Sequence, residues 1–214
     1  SAASDVYKRQ SIDYTGRWKA LHYYAKRFFA PVMISCQEES WLTQEANMNR
    51  QHFQFEKSIH LNVTNETLKD REILVKWYVR NAAAEILREE HAKIQVPALE
   101  SVWLPKAELP EIDVFTQYVS FEAWENGECV SGGTVIFSYP KYFRYEKPEL
   151  TCKVEGNQIT VSSPVYAKSV EILNEQEDLV LSDNYFDLNG DSRTVEILRG
   201  KPEGLKLRSV WDIR

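Results

Sequence analysis

The sequence contains no apolar run of the roughly 18 residues that a bilayer-spanning helix needs, so no membrane partner is expected. It also lacks a basic surplus. Its net charge of −6 argues against nucleic acid, where a positive footprint supplies most of the affinity. Cysteine is scarce: Cys36, Cys129 and Cys152 are far apart, odd in number and form no Cys-x-x-Cys pair. Zinc and dithiol chemistry are therefore disfavoured. The reading is three buried thiols, with one disulfide left open. Residues 1–10 hold no apolar stretch of signal-peptide length. A periplasmic or extracellular location in a bacterium follows only if a parent chain carries such a peptide.

Catalytic signatures are equally thin. The nucleophile elbow, the P-loop, the dinucleotide glycine fingerprint and His-Glu-x-x-His do not occur. His22, His52, His60 and His91 share no metal-ligand spacing and read as surface or half-buried residues. Glu38-Glu39 and Glu89-Glu90 are neighbours on extended chain and point apart, which suits solvated faces rather than an acid/base pair. The stretch from Asp178 to Asp191 superficially resembles a calcium loop but lacks its ligand spacing and terminal Glu, so turn chemistry explains it better. No catalytic residue, metal ligand or cofactor is nominated. The Asn62 and Asn65 sequons would matter only in a secreted eukaryotic chain.

What is abundant is rings: 6 Trp, 11 Tyr and 9 Phe against 2 Met, a balance that favours β-sheet cores. The pattern predicts a fold that is mainly β: two immunoglobulin-like β-sandwiches preceded by one amphipathic α-helix. Residues 1–11 read as a tail or cloning junction. Residues 12–30 hold the helix, with Trp18, Leu21, Ala25 and Phe28 at helical spacing, Asp13 or Thr15 as cap, and Pro31 as stop. A helix of about four turns is marginal alone, so its stripe needs a partner surface. It is expected either on the first sandwich or against a second copy, as a homodimer.

Residues 31–147 alternate with period two and form sandwich one. Ile59–Val63 and Ile73–Val79 read as a hairpin or neighbouring strands, and Glu125-Asn126-Gly127-Glu128 as a hairpin turn. Residues 82–91 fit either helix or strand–turn–strand. Residues 148–214 form sandwich two, small enough that its core is only just sufficient; Asn189-Gly190 is expected to open a hairpin there. Trp41, Tyr142, Phe143 and Tyr145 lie in or beside loops. They are candidates for a platform that stacks a weakly bound glycan, or for a plug of the sandwich end.

Three segments resemble one family. Residues 12–31, with Asp13, Tyr14, Gly16, Arg17, Lys19, His22 and Tyr23, are similar to the end of the catalytic barrel in β-mannosidases of glycoside hydrolase family 2. Residues 164–173 and 182–188 (SDNYFDL) resemble the final immunoglobulin-like domain of those enzymes, and residues 137–143 the link between its two terminal sandwiches. The resemblance implies a non-catalytic C-terminal region of a retaining hydrolase of terminal β-mannose. It places the two catalytic glutamates in a barrel upstream of Asp13, makes that missing barrel the partner, and makes Trp18, Leu21, Ala25 and Phe28 its interface. A carbohydrate-binding module and a generic immunoglobulin-like interaction domain are the alternatives.

Overall fold

The computed structural model describes residues 11–43 and 55–213, which divide into two compact units, 30–145 and the N-terminal segment to Phe29 together with 146–214. His52 and most of the N-terminal tail lie outside the described residues.

In the 30–145 unit, β1 (Val32–Glu39), β2 (Ser58–Asn65), β5 (Glu100–Trp103) and β6 (Ala107–Glu108) form one antiparallel sheet centred on β2. β3 (Arg71–Asn81), β4 (Ile86–Val96), β7 (Gln117–Glu125) and β8 (Glu128–Ile136) form the other, in the order β4-β3-β7-β8. Ile34, Ile59, Leu61 and Val63 from the first sheet meet Ile73, Val75, Val119, Phe121 and Ala123 from the second in one buried core. This is the period-two alternation converted into a sandwich.

The β7–β8 turn behaves as read: Asn126 and Gly127 both take positive φ (51° and 86°), matching the twist of a two-residue hairpin. Residues 82–91 resolve as strand–turn–strand, with Asn81 accepting and donating across the turn to Glu85. β2 and β3, by contrast, are not paired; they belong to opposite sheets. Asn65 explains why. Its amide is buried and Nδ2 donates to the Lys69, Val96 and Pro97 carbonyls, pinning a crossover rather than a hairpin.

In the second unit, β9 (Thr151–Glu155), β10 (Gln158–Ser162), β12 (Val180–Leu181) and β14 (Ser192–Arg199) form a sheet in the order β12-β14-β10-β9. β11 (Tyr166–Leu173), β13 (Phe186–Asn189) and β15 (Lys206–Arg208) form a three-stranded sheet, followed by a single turn, α2 (Val210–Ile213). Ile159, Val161, Val170, Ile172, Leu181, Phe186, Leu188 and Val195 fill the space between. Asn189-Gly190 links β13 to β14 across the two sheets, so it is a corner, not the expected hairpin. The helix α1 (Ala20–Phe28) belongs to this unit. It is shorter than the spacing predicted, and neither Asp13 nor Thr15 caps it: the N-cap position is Lys19, with no side-chain bond.

None of the three cysteines forms a disulfide. Only Cys36 is largely shielded; Cys129 and Cys152 are exposed, against the expectation of three buried thiols. Burial raises the Cys36 thiol to about 12.

Candidate functional site

The segments singled out at the two ends of the chain, 12–31 and 182–188, touch each other. Before the helix, the Asp13 carboxylate accepts from the Thr15 and Arg17 amides and from the Thr15 hydroxyl. The hydroxyl bond is the main reason its pKa falls below the usual carboxylate value. Gly16 completes this turn at φ +81°, where a Cβ would meet the Arg199 guanidinium at 2.9 Å. The guanidinium could shift aside, but the left-handed φ favours glycine. The Asp-Tyr-Thr-Gly-Arg run is thus a turn that starts the chain into α1.

The helix then docks by one side. Tyr23 is 1% exposed, and its hydroxyl accepts from the Leu181 amide at 3.2 Å. Burial is the main cause of its raised pKa. Its ring lies 5.9 Å from that of Tyr185. One turn on, Arg27 donates to the Asp183 carboxylate at 2.6 Å and to the Asn184 and Tyr185 carbonyls at 2.5 and 3.2 Å. Lys26 reaches the Ser182 carbonyl at 2.8 Å. Arg17 pairs with Glu177 at 2.6 Å, and the hydroxyls of Tyr24 and Ser169 lie 3.1 Å apart.

The receiving turn is built for this. Asn184 stands in for a strand: its side chain accepts from the Ile172 amide and donates to the Ile172 carbonyl. Tyr185 sits at φ +55°, a conformation a bulky side chain tolerates only when its surroundings hold it. Its hydroxyl donates to Glu171 at 2.5 Å, and Glu171 is also paired with Arg208. Burial, then the Glu171 carboxylate, drive the Tyr185 pKa up. Asp183 bridges Arg27 and Arg193, and Asp187 takes the Ser169 amide and the Lys168 ammonium. The aspartates of the calcium-like stretch are accordingly engaged in ion pairs and turns.

Ring spacing missed this face. Tyr23 and Arg27, four residues apart, carry the dock, and the signal that pointed to them was the cationic last turn opposite an Asp-Asn pair far along the chain. The expected stripe faces elsewhere. Leu21, Phe28 and Phe29 are 50%, 57% and 86% exposed, while Trp18 and Ala25 are half-buried. The helix therefore docks on the second sandwich, where the spacing points to the first sandwich or a second copy, and Leu21, Phe28 and Phe29 stay exposed.

The aromatic candidates split. Phe143 and Tyr145 are buried against each other, with ring centroids 4.7 Å apart, and offer no stacking face. Trp41 stacks on Tyr142 at 5.5 Å and meets Tyr139 and Phe115 edge-on. The four residues do not form one platform. The sequons fail too: Asn65 is fully buried and Asn62 is 6% exposed.

Residues 57–142 match the mannosidase Ig/CBM-like domain, and residues 145–213 match an Ig-fold domain. No curated protein matches the sequence significantly. Among solved structures, the fold is similar to a β-D-mannosidase from Dictyoglomus thermophilum, at TM-score 0.68 and 18% identity over 94% of this chain. It is also similar to an exo-chitosanase from Amycolatopsis orientalis, at TM-score 0.56 and 14% identity over 94% of this chain. The chain spans 24% and 29% of the length of those two proteins. The chain thus carries, in tandem, a member of the mannosidase Ig/CBM-like domain family and a member of the Ig-fold domain family.

Proposed function

We propose that this chain is a non-catalytic accessory region of a β-mannosidase-like retaining hydrolase, and that it buttresses a catalytic barrel encoded upstream. The observation that carries this reading is the two-sided helix. One side is clamped into the Ig-fold sandwich through Tyr23, Lys26 and Arg27. The other presents Leu21, Phe28 and Phe29 to solvent. Apolar area of this kind gains roughly 25 cal/mol per Å² when covered. The barrel is its occupant in this reading, and the dock fixes the helix at the angle the barrel meets. The tandem family matches support the same placement. General acid and nucleophile both belong to the barrel, so this region contributes rigidity and position rather than proton transfer.

Two measurements test it. The chain alone should release no nitrophenol from p-nitrophenyl β-mannoside above a protein-free blank; turnover by a contaminant-free preparation overturns the reading. In the full-length parent, Leu21→Asp with Phe28→Asp should lower thermal stability and kcat together. In the isolated chain the pair should leave stability within about 0.5 kcal/mol of the parent sequence, because both sites are exposed. Loss of a homodimer, rather than of barrel packing, would assign the stripe to self-association and refute the buttress.

A further inference from the structure

The outward face of the β1-β2-β5 sheet carries a feature the aromatic-loop reading overlooked. Trp103 is 51% exposed on β5, directly opposite Asn62 on β2. Its ring lies against the His60 imidazole, with centroids 4.4 Å apart and planes tilted by 39°. Gln37 on β1 is opposite His60, so indole, imidazole and the two amide side chains share one face of three adjacent strands. Inward neighbours Ile59, Leu61 and Val63 belong to the core, which fixes the backbone under this face.

Two properties define what this face suits. First, the part of the face around the indole, residues 33, 35 and 37 on β1, 60, 62 and 64 on β2, and 101 and 103 on β5, carries no Asp, Glu, Lys or Arg. Its carboxylates, Glu39 on β1 and Glu108 on β6, stand at one end of the face, where both pair with Ser58 of β2. Secondly, its amides keep spare donors. Asn62 uses Oδ1 to accept from the Thr64 hydroxyl at 3.0 Å, yet its Nδ2 donates to none of the described residues, although the residue is 6% exposed. Gln37 is exposed, and its side chain likewise bonds to none of them.

We infer that the Trp103 face is a binding site for a neutral pyranose within a glycan. The CH face of a sugar ring is flat and apolar and covers the open face of an indole, while its equatorial hydroxyls run along the edge, where uncharged amides exchange hydrogen bonds with them. The imidazole of His60 backs the indole and holds it in place, so little rotamer freedom is lost on binding. No cation lines this face to pair with an anionic ligand, the carboxylates of Glu39 and Glu108 at its end would repel one, and a protein partner would need a larger apolar area than one ring. This site goes beyond the buttress reading, and its test on the isolated chain does not depend on that reading.

The test uses the full chain, ¹⁵N-labelled, titrated with β-1,4-mannotriose, cellotriose and chitotriose. At least one sugar should give saturable shifts at the Trp103 indole and at the Gln37 and Asn62 side-chain amides, with an affinity on the order of millimolar. Trp103→Ala should weaken binding about tenfold or more with the remaining spectrum unchanged. Trp103→Tyr should retain part of it, and Trp41→Ala should leave it unaltered. No saturable shift with any of the three sugars overturns the inference, as does unchanged binding by Trp103→Ala. Shifts centred on Trp41 and Tyr142 overturn it in favour of the loop cluster. Light scattering that shows Trp103→Ala dissolving a dimer overturns it in favour of self-association.

Discussion

Residues 30–145 close their core between two four-stranded sheets, whereas residues 146–214 have sheets of four and three short strands and recruit a helix from the other end of the chain. The larger unit is held chiefly by rows of interdigitating Val, Ile and Leu. The smaller adds a polar clamp: Arg27 on three consecutive residues of the 183–185 turn, Asn184 imitating a strand, and Glu171 shared by Tyr185 and Arg208. Surface-to-volume scaling gives the reason. A sandwich of this size buries too little apolar area to offset chain entropy comfortably, so directional bonds and an extra layer make up the difference. Two of the smaller unit's residues at positive φ, Ser169 and Tyr185, are also helix contacts, whereas those of the larger unit, Ala84, Leu99 and Asn126, sit in its turns and loops.

That contrast can be broken at Tyr23. Tyr23→Ala removes a buried ring and strands the Leu181 amide, and should cost about 3 kcal/mol. Hydrogen exchange should accelerate in β11, β12 and β14 while β2, β3 and β7 keep their protection; equal loss in both units would show that they do not differ in their need for the helix. Gly16→Ala should cost about 1 kcal/mol through the left-handed φ, with the same one-sided exchange pattern. A neutral result would show that the turn before the helix is not what sets its dock.

The smallest effect is on the larger unit. The Cys36 thiol is held at about 12 against an ordinary 9.0, so the folded state keeps a proton that the unfolded chain loses first. Stability of the 30–145 unit should therefore be independent of this group below pH 9 and fall as pH rises toward 12. Cys36→Ala should remove that part of the decline. In the native protein, a thiol reagent at pH 8 should label Cys129 and Cys152 quickly and Cys36 only on unfolding. Fast labelling of all three would contradict the shielding.

Much of the fold was legible because period-two patterning speaks directly to burial. Ile73, Val75 and Trp77, like Ile159 and Val161, face inward as alternation requires. Turn chemistry was legible where it is local, at Asn126-Gly127, and misleading where a turn of the same composition changes sheets, at Asn189-Gly190. The functional face of the helix was illegible from apolar spacing. Tyr23 and Arg27 bind through a hydroxyl and a guanidinium, which a search for hydrophobic periodicity discounts. Trp103 went unnoticed because it lies in a segment punctuated by Pro105 and Pro110, and only strand pairing sets it beside His60.

The chain by itself determined its class, its two sandwiches and its kinship, because alternation, turn dipeptides and the 12–31 and 182–188 segments are properties of contiguous residues. Tertiary structure decided the rest: that α1 closes on the second sandwich, that β2 and β3 part into different sheets, and that a ring-and-amide face is assembled from three strands. Those outcomes depend on contacts between residues up to about 160 positions apart, such as Arg17 with Glu177. No local pattern encodes them, since their free energy arises only once the whole core has formed.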